Sequence, residues 1–422
     1  MTRRWTNWAG NVTFSAARMH RPPSVEQLQQ LVARSERVRA LGTGHSFSRI
    51  ADCPGDLISV AGLPRIMDID ADHATVTISA GIQYGELAAH LHRTGYALHN
   101  LGSLPHISVA GACATGTHGS GDRNRGLASA VSAMELVTAG GDIVTMSRKT
   151  EGDQFCGAVV GLGALGIVTR MTLDIVPAFD VRQLVYEDLP REHLDASFDV
   201  IFSSAYSVSL FTDWRGPSIK QVWLKQRGCE YDSRPPLRRW LGARLADGPR
   251  NPLPGMEAAY CTDQMGVPGP WHLRLPHFRP EFTPSSGEEL QSEYLVARGF
   301  AAEALAAINR IRDRVAPILQ ISEIRTVAAD DLWLSPSYQR DSASIHFTWI
   351  KDAQAVTPVL AAIEDVLAPL AARPHWGKLF CVSPRALWGL YERLPDFERL
   401  VCRYDPAGVF RNEFVSHVLE AE

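Results

Sequence analysis

The stretch Arg39–Ile50, RALGTGHSFSRI, puts a histidine, His45, directly behind two glycines and among small residues. A loop that only has to turn uses Asn, Asp or another Gly at such a place. A bulky, titratable ring there points to a partner that the loop cradles. Upstream, PPSVEQLQQLVARS (22–35) reads as a helix. Ser24 can cap it, Gln27 completes a capping box, and Val25, Leu28, Leu31 and Val32 share one face. RVRAL (37–41) reads as a strand that feeds the glycine turn.

Working outward, ATVTISAG (74–81) alternates strictly, with Ala74, Val76, Ile78 and Ala80 on one face of a half-buried strand. YGELAAHLHRTG (84–95) reads as a helix ending at Gly95. AMELVTAGGDIVTMS (133–147) is a hairpin turned at Gly140-Gly141-Asp142. GLGALGIVTRMTLDIVP (161–177) is a glycine-rich bend running into a long strand. The first 178 residues are therefore α+β with mixed short strands, not a regular βαβ wind. After Pro177, SLFTDW (209–214) and SIKQVWLKQ (218–226) suit an antiparallel sheet. The Pro- and Gly-rich segment Gly248–Gly287 is expected to be a long ordered loop, a lid or rim. AAEALAAINRIRDRVAPIL (301–319) and AVTPVLAAIEDVLAPLAA (355–372) are amphipathic helices. DPAGVFRNEF (405–414) is expected to pack back on the first domain.

The bulk numbers narrow the function classes. The chain has 422 residues, 45% of them hydrophobic, and a net charge of −4. That suits two or three globular domains. The densest basic run, RPPLRRWLGAR from Arg234, reads as a solvated or packed helix, not a nucleic-acid patch. The cysteines Cys53, Cys113, Cys156, Cys229, Cys261, Cys381 and Cys402 never form a C-x-x-C pair. They read as reduced, buried thiols of a cytoplasmic protein. The N-terminus lacks an apolar signal core, and no run reads as membrane-spanning. No metal site is expected: the 14 histidines include no H-E-x-x-H and no clustered ligand spacing, which argues against a zinc hydrolase.

Two loops are small enough for a nucleotide diphosphate to approach backbone N–H groups: GTGHSF (42–47) and SLPHISVAGACATGTHGSG (103–121). The first is no Walker loop, since His45 stands where Lys is needed, and it lacks the third Gly of a Rossmann fingerprint. Two plain surface turns would not explain so long a run of small residues. A second constellation lies in ISEIRTV (321–327) and SIHFTWI (344–350). Period two puts Ile321, Glu323, Arg325 and Val327 on one face, and Ser344, His346 and Thr348 on one face opposite Ile345, Phe347 and Trp349. A solvent-facing sheet is the ordinary meaning of alternation. A Glu-x-Arg pair beside a His-x-Thr pair is unusual for one, and Lys378 in HWGKLF lies among apolar neighbours.

Taken together, TNWAGN, GTGHSFS, SLPHISVAGACATGTHGSG and GALGIVT resemble the FAD-binding domain of vanillyl-alcohol-oxidase type (PCMH-type) flavoproteins, in the sugar-alcohol and aldonolactone oxidase branch. AYSVSLFTDW, QVWLK, GVPGPWHLRLPHFRPEFTPSSG, LQSEYL, EIRTVAAD, HFTW and RPHWGK resemble the bacterial alditol (xylitol/sorbitol) oxidases. The resemblance implies a two-domain α+β fold: an FAD-binding domain at 1–178, a substrate domain with an antiparallel sheet at 179–400, and a C-terminal return at 401–422. It implies FAD joined covalently through its 8α-methyl to His45, a single link that leaves Cys113 unattached. Leu41, Gly42, Thr43, Gly44, His45 and Ser46 would hold the pyrophosphate and lead to the ring. Ser103, Ser108, Gly111, Ala112, Cys113 and Ala114 would line the other side, with Val168 at the adenine or ribose end and His375 at the isoalloxazine. Gly102 would leave room for O2.

The same resemblance places Ser103, Glu323, Arg325, Thr348 and Lys378 on the polyol, with His346 in the pocket and Gln291 a weaker candidate. A linear polyol needs a partner for each hydroxyl it dries, and these side chains can supply them. The implied reaction removes a hydride from the terminal carbinol, with Arg325 and Lys378 stabilising developing charge and His346, or else Lys378, acting as base. O2 then yields H2O2 beside an aldose. The competing readings are an aldonolactone or other sugar oxidase on the same scaffold, and a flavin-binding protein without catalysis. A cytoplasmic monomer that binds neither nucleic acid nor membrane is expected.

Overall fold

In the computed structural model, which describes residues 5–228, 235–282 and 287–420, the alternation at 74–81 becomes the strand Thr75–Ser79. Val76 and Ile78 are fully buried; Ala74 lies outside the strand at a positive φ of 51°. This strand joins an antiparallel sheet ordered Met67–Asp70, Thr75–Ser79, Ile167–Asp174, Val131–Val137, Ile143–Ser147. A smaller parallel sheet pairs Arg18–His20 and Val38–Leu41 with Asp56–Ser59 between them. Helix Val25–Arg34 wedges Leu28, Leu31 and Val32 between the two sheets, against Val38, Ile58, Val137 and Ile167. Ser24 caps it by accepting from the Gln27 amide; only this half of the expected capping box forms.

The second half builds one large, mostly antiparallel sheet. Its central order is Asp180–Pro190, Ser218–Arg227, Ser207–Thr212, Leu319–Val327, Ser342–Ile350, Glu289–Ala297. Helices Arg191–Phe202, Ala301–Arg310 and Ala353–Leu367 cover one face, where Phe202, Ile308 and Ile363 meet Ile324, Ile345, Phe347 and Trp349. The other face carries Glu323, Arg325, His346 and Thr348, each less than 9% exposed. The alternation at 321–350 thus marks a sheet buried on both sides, not a solvent-facing one.

Four expectations need correction. RPPLRRWLGAR is no helix: Arg239–Trp240 and Ala243–Leu245 pair as a hairpin, turned at Leu241 and Gly242, both with positive φ. Consecutive prolines before it and a left-handed pair within it disfavour a helix. Cys229 and Arg234 lie outside the described residues, as do 283–286 of the rim segment. Of the six described cysteines, all free, Cys381 and Cys402 are exposed. One helical stretch, Ala353–Leu370, is long and apolar enough to cross a membrane, with a mean hydropathy of 1.3 over 18 residues. Its Val356, Leu360, Ile363 and Leu367 are spent on the core just described. Finally, the return to the first core begins before residue 401. Leu387 and Tyr391 already join Leu394, Phe397 and Val415 in the cluster around Ile78, Leu87 and Phe155.

The described residues 248–282 of the rim segment are held by a few anchors. Gly269–Pro270 pairs with Asp180 and Val181, Cys261 bridges to Phe278, and Trp271 is fully buried.

Candidate active site

The strand Val38–Leu41 delivers the chain into the glycine turn, where Gly44 takes a φ of 72°. Gly42 is needed for closeness instead. A Cβ there would sit 2.3 Å from Ser108 Oγ, and one at Gly111 would sit 2.8 Å from the same atom. The two small-residue loops therefore face each other almost backbone to backbone, and a long cleft opens between them. Leu41, Gly42, Thr43, Gly44, His45 and Ser46 border one side; Ser103, Ser108, Gly111, Ala112 and Ala114 border the other. Gly102, Val168 and His375 also reach the cleft. Cys113 does not line it. In the short helix Val109–Ala114 its thiol takes the core side, 3.6 Å from the Tyr84 hydroxyl, and burial pushes it up to about 12.

His45 is clasped from both sides. Trp8 N–H donates to Gly44 O at 2.8 Å, Asn7 Nδ2 to Ser46 O at 2.9 Å, and Asn11 Nδ2 to Phe47 O at 2.9 Å. The Trp8 ring lies 5.1 Å from the His45 ring. From the opposite side Phe47 N–H donates to Gly377 O at 2.8 Å and Ser48 Oγ to Trp376 O at 2.8 Å. These bonds carry His375 and Lys378 to the mouth of the cradle. His45 Nδ1 is buried and has no hydrogen-bond partner. Burial pushes the ring down to about 4, so it is neutral and nucleophilic near pH 7.

Strand register assembles the other end of the cleft. Glu293, His346 and Glu323 stand in one row across three neighbouring strands; Gln291, Thr348 and Ile321 stand in the next. Glu293 is the hub. Its Oε1 accepts from Arg325 at 2.5 Å and from the Ser344 hydroxyl, and its Oε2 accepts from Lys378 Nζ at 2.5 Å. His118 Nε2 lies 3.3 Å away. Burial would raise this carboxyl, but Arg325 and Lys378 outweigh it and hold it well below the usual range. Lys378 Nζ also donates to His346 Nδ1 at 2.7 Å, while His346 Nε2 faces Thr348 Oγ1 at 3.1 Å. Burial, then Lys378, pushes His346 down to about 3, so the ring is neutral. Burial also lowers Lys378, against the pull of Glu293. Arg325 Nε is buried without a hydrogen-bond partner, a donor left over for a ligand oxygen.

The expected residues Ser103, Glu323, Arg325, His346, Thr348, Lys378 and Gln291 all border this end of one continuous cleft. Sequence reasoning missed Glu293, His118, His277 and Lys225. Glu293 had a signal: Glu289, Gln291 and Glu293 alternate with Leu290, Ser292 and Tyr294. The others lie where no period singles them out.

A family model described as an FAD binding domain matches residues 16–147, and one described as D-arabinono-1,4-lactone oxidase matches residues 288–418. An alditol oxidase from a Streptomyces species is 51% identical over 98% of this chain and 99% of its own length. The chain belongs to the alditol oxidase family. An L-gulono-1,4-lactone dehydrogenase of Mycobacterium tuberculosis is 30% identical over 98% of this alditol oxidase family member and 99% of its own length. The cholesterol oxidase structure from B. sterolicum shares the fold, with a TM-score of 0.79 over 99% of this chain and 96% of that one, at 14% identity. The fold is thus the two-part vanillyl-alcohol-oxidase type, and the cofactor of the family member is FAD. The cleft fits it on structural grounds: two facing glycine positions that a Cβ would fill, and an unpartnered buried imidazole nitrogen at their end.

Proposed function

We propose that this FAD-dependent alditol oxidase lays a linear polyol along the cleft-facing side of its large sheet, with the reacting carbinol at Arg325 and Lys378. The observation that carries this is Glu293, which accepts from both cations yet leaves the Arg325 Nε–H, and one of three Lys378 hydrogens, unspent. Glu323, Thr348, Gln291 and Ser103 then meet the remaining hydroxyls. FAD, when bound, supplies a two-electron acceptor for the alcohol, and O2 is the final acceptor, so the products are an aldose and H2O2. Leu41 to Ser46 on one loop and Ser108 to Ala114 on the other would hold it, with Val168 and His375 at its two ends and His45 as the covalent attachment point.

The Lys378–His346 pair takes the hydroxyl proton as a unit. While Lys378 is an ammonium it fills His346 Nδ1, and Nε2 bears hydrogen and cannot accept. Once Lys378 is neutral, the ring carries its proton on Nδ1. It can then receive the substrate proton at Nε2 and pass the other to the amine. Arg325 stabilises the alkoxide oxygen meanwhile. The unprotonated pair is the active form, so flavin reduction rises with pH through the lowered Lys378 value. The reducing cytoplasm belongs to the same proposal, supported by the free thiols at all six described cysteines, and so does a monomeric state.

Rapid mixing with xylitol, sorbitol and L-gulono-1,4-lactone tests the reading. The polyols are expected to bleach the flavin, and Arg325→Ala or Lys378→Met to slow bleaching by about 100-fold or more. A variant reduced at the normal rate removes that residue from the chemistry. Acid precipitation tests the His45 link: colour in the pellet supports it, colour in the supernatant overturns it.

A further inference from the structure

The Leu275–Phe278 stretch of the rim segment is a seam between the two halves of the site. Ser103 O accepts from His277 N–H at 3.2 Å, and Thr262 N–H donates to His277 O at 2.9 Å. Beneath it Lys225, 1% exposed, rises from the strand Ser218–Arg227. Its ammonium donates to Leu275 O, to Pro276 O at 3.1 Å and to His277 Nδ1 at 3.0 Å. Three acceptors meet three N–H groups, so the shell is closed. With Nδ1 accepting, His277 must carry its hydrogen on Nε2, which donates to Glu323 Oε1 at 2.7 Å. The reaction described above uses neither Lys225 nor His277, although both are buried and titratable.

We propose that Lys225 and His277 are positioning residues that fix Glu323 for polyol binding, so that this chain of bonds sets affinity while the Lys378 end sets the rate. It rests on the reading that Glu323 meets substrate hydroxyls. The bond from His277 occupies Oε1 and leaves Oε2 to accept from the polyol. It also holds Oε1 3.7 Å from Arg325 Nε, too far for a hydrogen bond. Without it the carboxylate closes on Arg325 and both lose their free positions. The tautomer lock depends on charge. Burial pushes Lys225 down to about 7, opposed by Glu323, with Cys261, Arg325 and His277 also facing it and the Trp223 ring 5.9 Å away. Deprotonation as pH rises through this value removes the lock, so KM rises with pH.

The test is stopped-flow reduction of the FAD-loaded protein by xylitol, read as apparent Kd and limiting rate from pH 6 to 9. Lys225→Met and His277→Leu are expected to raise the apparent Kd about tenfold or more, with the limiting rate within about threefold. Lys225→Met should also flatten the dependence of Kd on pH. His277→Gln keeps an amide donor for Glu323 and should restore most of the affinity. Adding Lys225→Met to His277→Gln should change nothing further. Should Lys225→Met fail to fold, the Leu and Gln variants at 277 decide alone. Unchanged Kd in His277→Leu, equal losses in His277→Gln and His277→Leu, or an equal effect of Lys225→Met in both backgrounds overturns the inference. A wild-type flavin that no alditol bleaches overturns the underlying reading instead.

Discussion

Glu293 sits between two cations with 1% of its surface exposed, so its substitution is not a local event. Glu293→Gln leaves Arg325 and Lys378 buried and facing each other, which costs about 3–5 kcal/mol for breaking a buried pair. It also removes the carboxylate that holds Lys378 up against burial. The amine then loses its proton at lower pH, so the rising limb of flavin reduction against pH shifts toward acid. Thermal melting and the pH profile check both statements. Gly102 gives the opposite kind of variant. A Cβ there meets nothing closer than 3.8 Å, so Gly102→Ala should fold and take FAD normally. Stopped-flow reoxidation should slow by about tenfold or more if that space admits O2, with reduction by polyol unaffected. At this scale the sequence was legible wherever a residue type clashed with its surroundings: His45 in a glycine turn, Arg325 and His346 on an alternating strand. His277 and Lys225 offered no such clash. One stands in an aperiodic Pro-rich loop, and the other reads as an ordinary strand lysine whose burial depends on that loop.

Elements were legible where one face is apolar and the other is not. The hairpin read at 133–147 follows from its Gly140-Gly141-Asp142 turn, and the helix read at 22–35 from the Ser24 cap and its apolar face. The strand Asp180–Pro190 and the helix after it were not read, because the strand is buried on both sides and the helix kinks at Ser197. The parallel sheet shows how a single carboxylate can bind elements together. Asp56 accepts from Arg18 Nε at 2.6 Å and from Ser35 Oγ at 2.8 Å, with His20 Nε2 also at 2.8 Å. Burial would raise its pKa, but bonds from Arg18, His20 and Ser35 pull it down to about 2. The unfolded carboxyl takes its proton near pH 4, before the folded one does. The stabilisation is therefore complete above about pH 4 and is lost as pH falls toward about 2. Acid unfolding of Asp56→Asn, followed by far-ultraviolet dichroism, should be shallower than wild type over that window, from a lower plateau.

Across the whole molecule, the FAD loop is held by residues hundreds of positions away. Arg39 donates to Ile50 O at 2.5 Å, Leu162 O at 2.6 Å, Gly163 O at 2.8 Å and Phe410 O at 2.9 Å. Asn412 Nδ2 donates to Asp52 O at 2.8 Å and Ile50 O at 3.1 Å. The C-terminal turn thus braces the loop from behind, packed back on the first domain as expected for 405–414, with Phe410 fully buried beside Val38. Asn412→Ala takes this donor from Asp52 O, at about 1–3 kcal/mol, while Ile50 O keeps its bond from Arg39. It should melt lower and, in a His45→Ala background that lacks the proposed tether, release FAD more readily in a fluorescence assay. The boundary of the return was the least legible feature. Helices Pro384–Leu390 and Leu394–Tyr404 are amphipathic in either unit, and only packing shows which core they complete.

The sulfur chemistry of the interior bears on how long such a catalyst lasts. An oxidase discharges peroxide beside its own core, and peroxide attacks thiolates far faster than thiols. Burial pushes Cys113 and Cys261 up to about 12 and Cys156 to about 11, so none of them offers a thiolate at neutral pH. Self-inflicted damage is expected to fall first on sulfur at the surface, at Cys402 and at Met265, which is 44% exposed, and to spare the buried cores behind the reaction chamber.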